Sequence, residues 1–289
     1  MTFKVQIDNY WVTYRLEGNP SHPVILFLHG FMGDRDEFQH AFTALSKLHY
    51  CVAIDLPNHG QTYVVDRVEG VSLSTYQDDY YTIQSTASFV IKFLDFLRIK
   101  KCCLVGYSMG GRLGLYLTIH FPQYFHKVIL ESASAGLRTI AERSDRLAKD
   151  RQLASDLESG DFEVFLENWY RQAIFGNLRS HPKFSQMLEQ RLKNSPSQLA
   201  NSLRNLSTGL QPSLWENLSD CEIPLLLLVG ELDTKFVQIN RQIEQLCKFA
   251  QLEIVPQCGH NIHFEYPELF VERIQVFLQQ TTYISRHLC

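Results

Sequence analysis

The chain has no surplus of positive charge. Lys and Arg number 27 against 31 Asp and Glu, a formal net charge of −4 over 289 residues. Such a balance cannot neutralise a row of phosphates, so nucleic acid is not expected as a partner. Long apolar runs are also missing. The most apolar stretch, residues 223–229, falls well short of the ~20 residues that cross a bilayer. The first fourteen residues carry no basic-then-apolar leader pattern. A soluble, cytoplasmic protein with no membrane partner is expected. There is no Gly/Ser/Pro tract, internal repeat or low-complexity segment. No Gly-Lys-Ser/Thr follows Gly30 to Gly33 or Gly110-Gly111, which excludes a phosphate loop. The seven cysteines are an odd count, and Cys102 and Cys103 are adjacent inside an apolar run. Reduced, buried thiols fit this better than a disulfide framework. His260 and His263 stand three apart, but no third ligand lies at metal spacing, so neither a metal nor a cofactor is expected.

What the sequence does contain is a strand–helix rhythm. Hydrophobic residues make up 45% and charged residues 20%, an ordinary globular balance. Continuous apolar runs at 24–28, 51–54, 102–105, 128–130, 225–229 and 252–255 read as strands buried on both faces. Between them, apolar residues at 83, 87, 90, 94 and 97 recur at helical spacing, residues 110–121 read as a helix stopped by Pro122, and a further helix follows Pro267. Alternation of this kind predicts an α/β fold, a mostly parallel central sheet flanked by helices. Residues 135–219 break the rhythm with helical, charged stretches and no convincing strand. They are expected to form a helical cap inserted into a core of residues 1–134 and 220–289.

Gly106-Tyr107-Ser108-Met109-Gly110 matches G-x-S-x-G between a predicted strand and a predicted helix, the context in which that motif lifts a serine out of a tight turn. A serine hydroxyl needs a base and the base needs an orienter. Asp233 and His260 follow the next two predicted strands in the order Ser, acid, His, at the carboxyl ends where such sheets build sites. Glu231 is the rival acid. The loop His29-Gly30-Phe31-Met32-Gly33 follows the first buried strand, and the backbone N–H groups of Phe31 and Met109 are the candidates for an oxyanion hole. His29 is expected to brace that loop. Arg112 follows the serine by one helical turn and can face the same pocket.

Leu28-His29-Gly30, Asp55-Leu56-Pro57-Asn58-His59-Gly60, the serine turn and Gly259-His260 resemble the α/β-hydrolase fold superfamily over nearly the whole chain. Asn58 stands where Gly is more usual, a mild departure because Asn tolerates left-handed dihedrals. A narrower resemblance is carried by Gly106 through Arg112, Ala135-Gly136-Leu137 with Ala141-Glu142-Arg143, Asn168-Trp169-Tyr170 with Phe175, Gly230 through Phe236, and Gly259 through Glu265. These stretches are similar to the 2-succinyl-6-hydroxy-2,4-cyclohexadiene-1-carboxylate synthases of menaquinone and phylloquinone biosynthesis. The resemblance implies a carbon–oxygen lyase that eliminates pyruvate from a small-molecule substrate bearing three carboxylates. It further implies that Arg112, Arg146 and Arg191 bind carboxylates, that Tyr107 and Trp169 shape and polarise the pocket, and that Phe175 lines it. Residues 135–219 are nearly balanced in charge, so without the resemblance Arg146 would read as a solvated surface charge. A serine hydrolase of a small anionic ester or thioester, and a non-catalytic ligand-binding protein on the same fold, are the alternatives. Oligomeric state, and which of the two quinones is made, are open at this level.

Overall fold

Residues 1–65, 67–68, 71–72, 77–176 and 178–280 are described in a computed structural model. The six apolar runs are strands: β3 (Val24–Leu28), β4 (Tyr50–Ile54), β5 (Cys102–Tyr107), β6 (Phe125–Glu131), β7 (Leu225–Gly230) and β8 (Ala250–Val255). Two more precede them, β1 (Thr2–Ile7) and β2 (Tyr10–Glu17), an antiparallel hairpin turning at Asp8, which takes a left-handed φ of 48°. The sheet order is β1-β2-β4-β3-β5-β6-β7-β8, antiparallel through β2–β4 and parallel from β4 onward, with a short strand at Tyr63–Val64 pairing β2 off this path.

Strict alternation along each buried strand divides its side chains between two layers. In β3, Leu26 and Leu28 join a core with α2 (Ile83–Phe96) and α3 (Met109–His120), while Ile25 and Phe27 join a second core with α1 (Gln39–Leu45) and α10 (Pro267–Gln279). This explains why the strands read as continuous apolar runs, and each such side chain contributes about 1.5–3 kcal/mol by leaving water. The remaining core helix, α8 (Thr234–Leu246), follows β7, and the single turn α9 (Ile262–Glu265) precedes α10.

Between β6 and β7 the described residues form four α-helices: α4 (Ile140–Ser159), α5 (Phe162–Trp169), α6 (Phe184–Arg191) and α7 (Pro196–Asn205). α4 starts at a capping box in which Thr139 and Glu142 satisfy each other's backbone N–H groups. These helices share a small core that includes Leu157, Leu166 and Leu199, and Met32 joins it from the sheet side with Phe31 and Phe264 packed against it. Further along, Leu206, Leu214 and Leu218 already pack into the core beneath the sheet. Among the described residues no helix is long and apolar enough to cross a membrane, and the six described cysteines are free thiols.

Candidate active site

Ser108 sits at the junction of β5 and α3 with φ of +49°, a strained backbone for a non-glycine residue. Its neighbours make the turn possible. A Cβ on Gly110 would lie 2.1 Å from the Leu28 carbonyl oxygen, and one on Gly106 would lie 2.6 Å from the Gly110 carbonyl oxygen. The turn therefore presses against the end of β3 and presents the serine above the sheet. Ser108 Oγ is 3.0 Å from His260 Nε2, and His260 Nδ1 is 2.5 Å from Asp233 Oδ2. Asp233 and His260 are 1% and 2% exposed. Asp233 is also the N-cap of α8, accepting from the Phe236 N–H. Its rival Glu231 is exposed and accepts from the Gln257 N–H instead. Phe236 and Phe175 stand edge-on to the His260 ring, and the His260 backbone N–H donates to the Ile174 carbonyl in the insertion.

Residues 30–33 form a tight turn closed by the Gly33 N–H donating to the Gly30 carbonyl at 3.0 Å, with Met32 at φ +63°. His29 Nδ1–H donates to the same carbonyl at 2.8 Å, and its Nε2 accepts the Leu56 N–H at 2.9 Å. Burial lowers the His29 pKa, so the ring is a neutral brace with a fixed tautomer. Holding the Gly30 carbonyl on one side of a planar trans peptide directs the Phe31 N–H to the other. The Met109 N–H heads α3 and has no partner within that helix. Both residues line one cavity with Ser108 and His260. Asn58 takes φ +66°, the left-handed conformation its sequence position suggested.

That cavity holds about 470 Å³ and is lined by Tyr107, Arg112, Arg146, Trp169, Phe175 and Arg191 as well. The three arginines differ in what they already hold. Arg112 donates to the Gln211 side chain at 2.7 Å and to the Leu206 carbonyl at 3.3 Å, both neutral acceptors. Burial, then Arg146 nearby, lowers its pKa to about 10, so it remains charged at neutral pH. Arg146 gives Nε to both oxygens of buried Asp150 at 2.8 Å, an arrangement that leaves its terminal nitrogens for a ligand. Arg191 is spent differently: its two terminal nitrogens donate to the Glu37 carboxylate at 2.8 and 2.5 Å, and its Nε to the Tyr170 hydroxyl at 3.2 Å. Two further cations line the cavity, Lys149 and Lys235. Burial, followed by Arg146 and Lys149, lowers the Lys235 pKa. Both were missed from sequence, although Lys149 follows Arg146 by three on one helix and Lys235 follows Asp233 by two. Tyr107 is buried beneath the cavity, and burial, then Glu131 and Glu37, hold its phenol protonated.

Behind Tyr107 runs a buried ionic chain. Glu37 accepts from Arg191 and from His263 Nε2 at 3.3 Å, and His263 Nδ1 donates to Glu131 at 2.7 Å. Burial alone would lower the His263 pKa, but Glu131 and Glu37 outweigh it and raise it to about 9. Burial would raise Glu37, yet Arg191 and His263 hold it below the usual carboxylate range. Among the described residues no group of three His, Cys, Asp or Glu is placed to hold a metal. Because the folded-state pKa of His263 exceeds the 6.5 of a free histidine, its stabilisation is complete below pH 6.5 and is lost as pH rises through about 9. A loss of a few kcal/mol is expected over that window. Thermal unfolding between pH 6.5 and 9.5 checks this: Tm should fall in the wild type and fall less in His263→Gln, and parallel curves would contradict it.

The class of protein is the alpha/beta hydrolase fold, whose family matches residues 23–267. Within it, the chain is 32% identical over 267 residues to a putative 2-succinyl-6-hydroxy-2,4-cyclohexadiene-1-carboxylate synthase of Bacillus subtilis (strain 168), covering 91% of this chain and 92% of that one. The solved structure of MenH from S. aureus matches with a TM-score of 0.82 at 30% identity, covering 92% of this chain and 97% of that chain. The chain belongs to the 2-succinyl-6-hydroxy-2,4-cyclohexadiene-1-carboxylate synthase family. It is also 34% identical over 288 residues to the chloroplastic protein PHYLLO of Arabidopsis thaliana, of whose length it spans only 16%.

Proposed function

We propose that this chain is a lyase that converts 2-succinyl-5-enolpyruvyl-6-hydroxy-3-cyclohexene-1-carboxylate into 2-succinyl-6-hydroxy-2,4-cyclohexadiene-1-carboxylate and pyruvate. The observation that carries this reading is the charge set around the Ser108–His260–Asp233 array. Arg112, Arg146, Lys149 and Lys235 line the cavity, and among its described lining residues only Asp150 is an acid. Guanidinium forks and ammonium groups at this density suit a substrate with three carboxylates.

In this reading Ser108 Oγ removes the ring proton alpha to the succinyl ketone as its own proton passes to His260 Nε2. Asp233 holds Nδ1–H and stabilises the imidazolium. The electron pair moves onto the ketone oxygen, where the Phe31 and Met109 amides meet the developing charge. The pair then returns through the ring: the C3–C4 double bond shifts, the C5–oxygen bond breaks, and the enolpyruvate released takes up a proton as pyruvate. The same array also suits acyl transfer, so hydrolysis of a small anionic ester is the second reading.

Pyruvate release, coupled to NADH oxidation by lactate dehydrogenase, separates the two. The lyase reading expects release from the enolpyruvyl precursor to outrun cleavage of p-nitrophenyl esters by a wide margin, and efficient ester turnover without pyruvate would sink it. Arg146→Ala is expected to cost about 2–5 kcal/mol in kcat/KM by stranding a desolvated carboxylate. A merely solvated charge would give a change within about 0.5 kcal/mol, and such a value would remove Arg146 from the binding set.

A further inference from the structure

Arg191 makes a contact that a substrate ligand does not need. Its Nη1 donates to the backbone carbonyl of Met32 at 3.0 Å, and Asn194 Nδ2, three residues on, donates to that same oxygen at 2.9 Å. Met32 is the left-handed residue of the turn that carries the Phe31 amide, a conformation that costs free energy in a non-glycine residue and persists only where its surroundings hold it. Asn194 Oδ1 meanwhile accepts from the Gly60 N–H, tying in the loop after β4. The charge on Arg191 is matched within the protein. Glu37 pairs with it at 2.5 Å, and both partners are almost fully buried, at 7% and 4% side-chain exposure. Glycine at position 33 leaves room for this carboxylate: a Cβ there would lie 2.0 Å from Glu37 Oε2. A guanidinium that is already neutralised, and has donated to three protein acceptors, has little left for a carboxylate.

We propose that Arg191 is a positioning residue: with Glu37 and Asn194 it seats the helical insertion on the turn after β3 and so fixes the Phe31 amide of the oxyanion hole. This rests on the reading of that amide as an oxyanion donor. It makes the insertion part of the catalytic geometry instead of a lid over it, and it assigns carboxylate binding to Arg112, Arg146, Lys149 and Lys235. Removing one partner of a buried ion pair leaves the other charge uncompensated, so loss of Glu37 should disturb the turn as much as loss of Arg191.

The test uses diethyl 4-nitrophenyl phosphate, a neutral reagent with no carboxylate. Ser108 Oγ attacks phosphorus, 4-nitrophenolate leaves, the serine proton passes to His260, and the phosphoryl oxygen occupies the oxyanion hole. The rate is read from nitrophenolate release and from the mass of the Ser108 adduct. A weakened oxyanion hole should slow labelling about 10–100-fold in Arg191→Met and in Glu37→Gln, since an oxyanion donor lost outright costs about 10²–10³. Groups acting as one unit are non-additive, so the double variant should be no slower than the slower single variant. With the enolpyruvyl precursor, kcat should fall more than KM rises. Labelling of Arg191→Met at the wild-type rate, with a raised KM for the precursor, would return Arg191 to substrate binding and overturn the proposal. A fall in KM for Glu37→Gln would do the same, because it would mean that Glu37 competes with substrate for the arginine. Should the ion-pair variants fail to fold by circular dichroism, Asn194→Ala keeps the pair and removes one donor to Met32. Labelling should slow several-fold in it, and the wild-type rate there would also overturn the proposal. A wild type that is labelled but releases no pyruvate would sink the lyase reading alone, leaving the labelling comparison intact.

Discussion

Asp233→Asn is expected to lower pyruvate release by about four orders of magnitude, the scale on which a serine triad responds to an amide in place of its acid. The geometry explains why so small a change should cost so much. His260 Nδ1 lies 2.5 Å from Asp233 Oδ2 in a site where both side chains are buried. An asparagine there can present N–H to Nδ1, which places the histidine proton on Nε2 and removes the acceptor Ser108 needs. It also brings no charge to stabilise the imidazolium. The fold should survive, because an asparagine side chain can still cap α8 through its oxygen. Glu231→Gln should stay near wild type, since that carboxylate is exposed and holds only the Gln257 N–H. If Glu231→Gln cripples the enzyme and Asp233→Asn does not, the acid has been misassigned. Steady-state kcat/KM for both variants, with circular dichroism to confirm folding, decides the matter.

Ser108→Ala is expected to abolish more than 99.9% of turnover, a loss of about 10³–10⁶, while leaving substrate affinity within a few fold. Its Oγ lies 3.0 Å from His260 Nε2, and an alanine leaves the imidazole without that intermediary to the carbon acid. The cations that line the cavity are untouched by the change. Calorimetric titration of Ser108→Ala with the precursor measures the affinity directly. A large loss of binding would mean that Ser108 holds substrate instead of moving its proton.

The sheet and the meeting of Ser108, His260 and Asp233 were legible because each rests on a local constraint. Strands buried on both faces must be apolar throughout, and the serine turn leaves no room for a Cβ at positions 106 and 110. In the folded chain Asp233 is both the N-cap of α8 and the partner of His260. The β1–β2 hairpin was not anticipated, although Phe3, Val5 and Ile7 alternate before Asp8 and Tyr10, Val12 and Tyr14 alternate after it. With β1 an exposed edge and β2 its antiparallel neighbour, neither carries the continuous apolar run that marks the others. The state of Arg191 could not be read at all. Its partner Glu37 lies 154 positions away, and nothing in the helical pattern around residue 191 shows that a distant carboxylate will neutralise it. The same holds for His263, which carries a charge only because Glu131 and Glu37 converge on it.

The central claim is that a serine-hydrolase array here removes a proton and forms no bond to carbon. One single-turnover experiment addresses it: enzyme in slight excess over the enolpyruvyl precursor, quenched in acid over time, with pyruvate and intact protein mass measured in each sample. The account predicts that pyruvate rises to match the substrate added while the protein mass stays unmodified throughout, and that deuterium alpha to the ketone slows the rise whenever proton removal limits it. An adduct on Ser108 that forms and decays at the rate of turnover would contradict the account and make Ser108 a nucleophile.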